Sequence, residues 1–133
     1  MEQGKLTIKG MDAVEQTISK VQYSKKAGWH YILYQETNER FETYSTRIKC
    51  GDGYLEMVRK GKQEIRMVYE QGKEYCTLYP TPYGAIDLKI STSKVTLEET
   101  SNQITILVEC SIGGNPPQNM TILLKKESLS INP

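Results

Sequence analysis

Residues 44–70 read YSTRIKCGDGYLEMVRKGKQEIRMVYE, and their alternation decides the fold. Tyr44, Thr46 and Ile48 share one face, with Arg47 and Lys49 on the other. After Gly51-Asp52-Gly53, Leu55 and Met57 share a face with Arg59, opposite Glu56 and Lys60. After Gly61, Ile65, Met67 and Tyr69 face one way and Glu64, Arg66 and Glu70 the other. A period of two with a glycine turn between runs predicts antiparallel strands with one buried side.

The same grammar extends in both directions. Turn signals recur at Ala27-Gly28, Gln71-Gly72, Tyr83-Gly84 and Gly113-Gly114. Leu6 and Ile8 mark a first strand, and Trp29 to Glu36 a dense apolar one. Phe41 to Cys50 forms the next, with Asn38-Glu39 as its turn. Tyr75 to Tyr79 stops at Pro80, since proline does not belong inside a central strand. Thr81-Pro82-Tyr83-Gly84 then reads as a shaped loop. Ile86, Leu88 and Ile90 alternate, and Val95 and Leu97 mark a separate short segment. Ile104, Ile106, Val108 and Cys110 alternate most cleanly, and Met120, Ile122 and Leu124 close the series. Val14, Ile18 and Val21 are spaced like a helical face, with Asp12 and Glu15 as a capping box. The β-formers Thr17, Ile18, Val21 and Tyr23 favour a strand there, with the helix as the alternative. The expectation is an all-β, antiparallel up-and-down barrel of about 8–10 strands. It forms one domain over residues 1–133, frayed after about residue 127.

The 133 residues suffice for a core without staples. The net charge of +1 drives the chain toward neither nucleic acid nor an anionic surface. No apolar run is long enough to span a bilayer, and no leader pattern opens the chain, so the expected location is cytoplasmic. Cys50, Cys76 and Cys110 are too scattered for a disulfide framework or a metal knuckle and read as buried small hydrophobes. His30, the only histidine, lacks companions for a metal site or a triad and reads as an exposed or rim residue. Nucleophile-elbow, phosphate-loop and dinucleotide fingerprints are missing, so no catalytic residue, cofactor or metal is assigned and the protein is not expected to be an enzyme.

Tyr69 to Gly84 combines a strand ending Met67-Val68-Tyr69-Glu70 with Tyr75-Cys76-Thr77-Leu78-Tyr79-Pro80-Thr81-Pro82-Tyr83-Gly84. It resembles the bacterial YwiB-like family of unknown function. Tyr23-Ser24-Lys25-Lys26 with Tyr31-Ile32-Leu33-Tyr34, Arg59-Lys60-Gly61, and Asn119-Met120-Thr121-Ile122 are similar as well. The resemblance spans about Val14 to Lys126. It implies a calycin-like β-barrel, related in shape to lipocalins, and no particular activity. The lipocalin Gly-x-Trp signature is not matched, since Gly28 and Trp29 are adjacent.

All nine tyrosines fall between Tyr23 and Tyr83, against one phenylalanine. A buried phenol needs a hydrogen-bond partner, so this bias suits a wall that is half apolar and half wet. Arg59 shares a face with Leu55 and Met57 and should point inward, where it needs an anion. That anion is either a ligand head group or Glu36 or Glu42; alternatively Arg59, two residues from the Gly61 turn, reaches solvent at the strand end. The candidate ligand-binding residues are therefore Arg59, Tyr34, Tyr44, Tyr69, Tyr79 and Tyr83. The leading expectation is a non-enzymatic binder of a small amphiphilic or anionic molecule inside the barrel. The alternative is a filled barrel serving protein association, including a homodimer through surface tyrosines or an unpaired edge. The basic tip Arg59-Lys60-Gly61-Lys62 is interrupted by Glu56 and Glu64, which argues against nucleic acid as a partner.

Overall fold

In this computed structural model, residues 2–10, 15–37 and 40–127 are described. The expectations for Asp12, Val14, Asn38-Glu39 and the tail beyond residue 127 lie outside them. The chain forms ten strands: β1 (Glu2–Lys9), β2 (Glu15–Lys26), β3 (Trp29–Thr37), β4 (Thr43–Gly51), β5 (Tyr54–Lys60), β6 (Glu64–Glu70), β7 (Lys73–Thr81), β8 (Gly84–Glu99), β9 (Gln103–Ile112) and β10 (Gln118–Lys126). They form one antiparallel sheet in the order β6-β5-β4-β3-β2-β1-β10-β9-β8-β7. Every strand pairs with its sequence neighbour except at β6 and β7, and β1 pairs with β10 from Gly4↔Lys126 to Lys9↔Thr121. The expected up-and-down β-barrel is present, and it is nearly closed.

One corner completes the ring. Gly53 donates its N–H to the Val95 carbonyl at 3.1 Å, and Gly72 donates to the Thr92 carbonyl at 2.9 Å. The Gln71 side-chain oxygen accepts from the Val95 N–H at 3.1 Å. These bonds tie the β4–β5 and β6–β7 turns across to β8.

The interior is filled. Leu6, Ile32, Ile48, Leu55, Ile106 and Ile122 have 0% of their surface exposed, so none borders a space large enough for water. Each such side chain stabilises the fold by about 1.5–3 kcal/mol. The inward rows follow from register, as in Ile32↔Ile48↔Met57↔Met67 across β3 to β6.

Two bulges explain where the pattern misled. In β1–β2 the register slips between Gly4 and Leu6, pairing Gly4 with Val21 and Leu6 with Ile18. Ile18 and Val21 therefore share the inner face although three residues apart, which mimics helical spacing. In β8 the slip falls between Thr92 and Lys94. Ile90 and Thr92 face inward before it, and Val95 after it. What reads as two segments is one 16-residue strand.

Other expectations need correcting. Pro80 lies within β7, which tolerates it as an edge strand with no ladder on its outer side. The turn narrows to Pro82-Tyr83. Phe41 precedes β4, has φ of 59° and is exposed. Cys50 and Cys110 are buried as expected, whereas Cys76 is exposed. His30 is buried, because its Nδ1 and the Tyr23 hydroxyl lie 2.8 Å apart in a hydrogen bond that satisfies both polar groups. Burial lowers its pKa, against the opposing pull of Glu99, and keeps the ring neutral.

The β2–β3 turn places Ala27 at φ 54° and Gly28 at φ 83°. Two left-handed residues make the primed turn that suits hairpin twist, and a Cβ at the first is unfavourable. Ala27→Asn should raise the unfolding free energy by up to about 1 kcal/mol in urea titrations. A loss of stability would show that Ala27 makes a contact that outweighs its backbone.

Candidate functional site

The site begins where one ladder ends. β2 and β3 pair only from Lys26↔Trp29 to Gln22↔Leu33. Beyond that pair β2 follows β1 and β3 follows β4, so the two strands part. Across the gap the Gln16 amide donates to Glu36 Oε2 at 2.6 Å. The β2 bulge lies beside the last pair, and bulges bend the strand that carries them.

A cavity of about 960 Å³ occupies this opening and continues over the outer face of β3 to β6. Its floor follows the cross-strand row Gln22, Leu33, Arg47, Val58, Arg66. Val21, Tyr34 and Thr46 reach it from the core side. Lys20, Gln35, Ser45, Lys60 and Glu64 complete the rim. Leu33 and Val58 give the floor an apolar surface. Four cations (Lys20, Arg47, Lys60, Arg66) against two carboxylates (Glu56, Glu64) leave the lining with a net charge of +2.

Glu56 organises the outer wall. It is only 5% exposed, although it lies on the face opposite the core. Arg47 Nη2 donates to its Oε1 at 2.5 Å. Arg66 donates to Oε2 through Nε at 3.0 Å and Nη2 at 2.6 Å, and the Tyr54 hydroxyl donates at 3.1 Å. Burial alone would raise the Glu56 pKa. The bonds from Arg66 and Tyr54 and the two guanidinium charges outweigh that and hold the carboxyl below its ordinary value of 4.5. The arginines themselves are 45% and 61% exposed at the side chain. Both line the cavity, and each keeps N–H donors that Glu56 does not use.

The inner wall differs. Tyr34 is buried, and burial, aided by the nearby Glu36 carboxylate, pushes its phenol up to about 12, so it stays neutral. Thr46 pairs with Tyr34 in register and is 2% exposed. Its hydroxyl neighbours the Tyr34 phenol but makes no hydrogen bond of acceptable geometry. Glu36 Oε1 is likewise buried without a hydrogen bond, its cation being Arg59 Nη2 at 3.7 Å.

The residues singled out by sequence fall in four places. Tyr34 lines the cavity. Arg59 and Tyr44 stand beside it: Arg59 pairs with Thr46, Tyr44 pairs with Glu36, and the Arg59 guanidinium lies 5.9 Å from the Tyr44 ring centre. Of the two intramolecular partners foreseen for Arg59, Glu36 is the one it meets. Tyr69 is buried in the core. Tyr79 and Tyr83 stand on the β7–β8 hairpin, Tyr83 with 99% of its surface exposed. The structure therefore does not gather these residues into one pocket. Sequence reasoning missed the Arg47, Glu56, Arg66 cluster. Its signal was available, because the Gly51-Asp52-Gly53 and Gly61 turns set a register in which both arginines oppose Val58, diagonal to Glu56. The apolar outward floor was also visible in Ile32-Leu33-Tyr34 and Met57-Val58, where both faces carry apolar residues.

Residues 3–124 match the model of the domain of unknown function DUF1934. The chain belongs to the DUF1934 family. The crystal structure of the YwiB protein from Bacillus subtilis is similar in fold, with a TM-score of 0.75 at 20% identity, covering 94% of this chain and 92% of that one. No curated protein matches the sequence. Among the described residues no helix is long and apolar enough to cross a membrane, and no group of His, Cys, Asp or Glu is gathered to hold a metal ion.

Glu56→Gln should cost about 1–3 kcal/mol at pH 7, held to that range because both guanidiniums face solvent. The lowered carboxyl pKa stabilises the fold above 4.5, and that contribution disappears as pH falls through the folded value. Denaturation of the two proteins should therefore converge in acid. A gap that stayed constant down to strongly acidic pH would mean the Glu56 charge contributes nothing.

Proposed function

We propose that this DUF1934 protein binds a small amphiphile with an anionic head group, without chemistry, in the cavity where β2 and β3 part. The observation that carries the reading is the lining itself: apolar surface at Leu33 and Val58 within a lining of net charge +2. A concave site that is mostly apolar, with a few converging polar groups and a volume of roughly 300–1,000 Å³, suits a small ligand. The apolar portion would lie along Leu33, Val58 and the Tyr34 ring. The anionic end would take the unused donors of Arg47 and Arg66, with Lys20 and Lys60 adding attraction from the rim. Thr46 backs the Tyr34 side of this wall with its hydroxyl buried.

This differs from a ligand enclosed within the barrel, where Leu6, Ile32, Ile48, Leu55, Ile106 and Ile122 leave no free space beside them. A non-catalytic role is supported by Glu56, whose two oxygens are both engaged by donors. A general base needs a free lone pair facing its substrate.

Calorimetric titration with laurate and with dodecyltrimethylammonium separates charge from chain length. Laurate should bind roughly tenfold tighter or better, and Lys20→Gln with Lys60→Gln should shrink that preference. Equal affinity for the two, or preference for the cation, would sink the proposal. Thr46→Val should raise the thermal midpoint, since an unsatisfied buried hydroxyl costs about 1–3 kcal/mol. A lowered midpoint would show that the Thr46 hydroxyl is paired, with Tyr34 as its neighbour.

A further inference from the structure

The ladder between β8 and β9 stops at Ile90↔Ile112, whereas the ladder between β7 and β8 runs on to Thr81↔Gly84. Six residue pairs, from Cys76↔Lys89 to Thr81↔Gly84, therefore form a two-stranded arm without β9 beside it. At about 3.3 Å per residue the arm is roughly 20 Å long. On its β7 side it leans on β6, where the Thr77 hydroxyl donates to the Arg66 carbonyl at 2.6 Å. On its β8 side the Gly113 N–H reaches the Lys89 carbonyl at 2.9 Å. From Leu88 to Gly84 that edge has no strand against it among the described residues.

The arm is also unlike the rest of the surface. The run Cys76–Ile86 (CTLYPTPYGAI) holds no charged residue in a chain that is 25% charged. Tyr83 is 99% exposed, Leu78 64%, Ile86 48% and Tyr79 38%. Tyr79 and Ile86 are directly paired, on the face that continues the core side of the sheet. The free edge from Gly84 to Leu88 contains no lysine, proline or bulge, and Asp87 is its single charge among the usual guards against pairing with another chain. A two-stranded ribbon alone is marginally stable in water.

We infer that this edge pairs with the same edge of a second copy, antiparallel and centred on Ile86. An open edge asks for another strand, because only a strand satisfies a row of backbone N–H and C=O groups. The charge pattern fits self-pairing. With Ile86 on the two-fold axis, Gly84 lies opposite Leu88 of the other copy and Ala85 opposite its Asp87, so no like charges meet. The same register lays the Tyr79–Ile86 faces of the two arms side by side, joining four apolar side chains that each copy alone leaves in water. An isologous contact of this kind closes at two copies.

Sedimentation velocity on the full chain, from about 1 to 100 µM, tests it. The wild type should form dimers, and Ile86→Lys should raise the dimer dissociation constant at least roughly tenfold by placing two ammonium groups on the axis. Ile86 is half exposed, so circular dichroism should show an unchanged fold. In a Cys76→Ser background, Ile86→Cys should yield a disulfide-linked dimer on mild oxidation, since the two thiols meet across the axis. A wild type that stays monomeric throughout the range overturns the inference and leaves the edge to an unrelated partner. A dimer that Ile86→Lys does not weaken overturns it as well, by placing the contact elsewhere.

Discussion

The constraint on which the rest of this structure depends is closure of a ten-stranded meander around a filled core. The β1–β10 ladder joins the two chain ends, and the corner of Gly53, Gln71 and Gly72 against Thr92 and Val95 joins the rest. A sheet so closed must bend, and it does so at the bulges in β2 and β8. Both bulges lie next to a place where a ladder ends. Beside the first, β2 leaves β3 and the cavity opens. Beyond the second, β8 leaves β9 and the arm projects. The cavity and the arm are thus consequences of how the ring is completed.

Because the interior is occupied by aliphatic side chains, polar chemistry is displaced to the opposite face of β3 to β6. There Glu56 does what a core residue does elsewhere: it is buried, and it fixes its neighbours. A carboxylate between two guanidiniums is costly to desolvate and is retained only if its oxygens are satisfied. Four donated hydrogen bonds meet that condition here. They also hold Arg47 of β4 and Arg66 of β6 to β5, in the lining of the cavity. Thr46 represents the opposite case, a buried hydroxyl left unsatisfied. Polar groups of that kind lower stability and tend to be found where a site faces a ligand.

The barrel was legible because period-two alternation and glycine turns are local. Ile104 to Cys110 and Arg47 to Glu70 display their register in the letters themselves. Ile18 and Val21 were ambiguous for a physical reason, since a bulge shifts parity by one residue and imitates a helix. Val95 and Leu97 looked detached from Ile90 for the same reason. The site was less legible. Tyrosine enrichment pointed to a wet wall but not to its location, and the chosen tyrosines divide among cavity, core and arm. His30 shows how a single long-range hydrogen bond, to Tyr23, reverses an expectation of exposure. Where β2 parts from β3 depends on closure of the whole ring, which no local pattern encodes.

The central claim is that binding occurs in the wall of the barrel and not inside it. Amide chemical-shift mapping during a laurate titration tests it most directly. The account predicts that the largest shifts fall on Gln22, Leu33, Tyr34, Thr46, Arg47 and Val58, with the core strands unmoved. Shifts concentrated instead on Ile104, Ile106, Ile122 and Leu124 would place the ligand in the interior and contradict it.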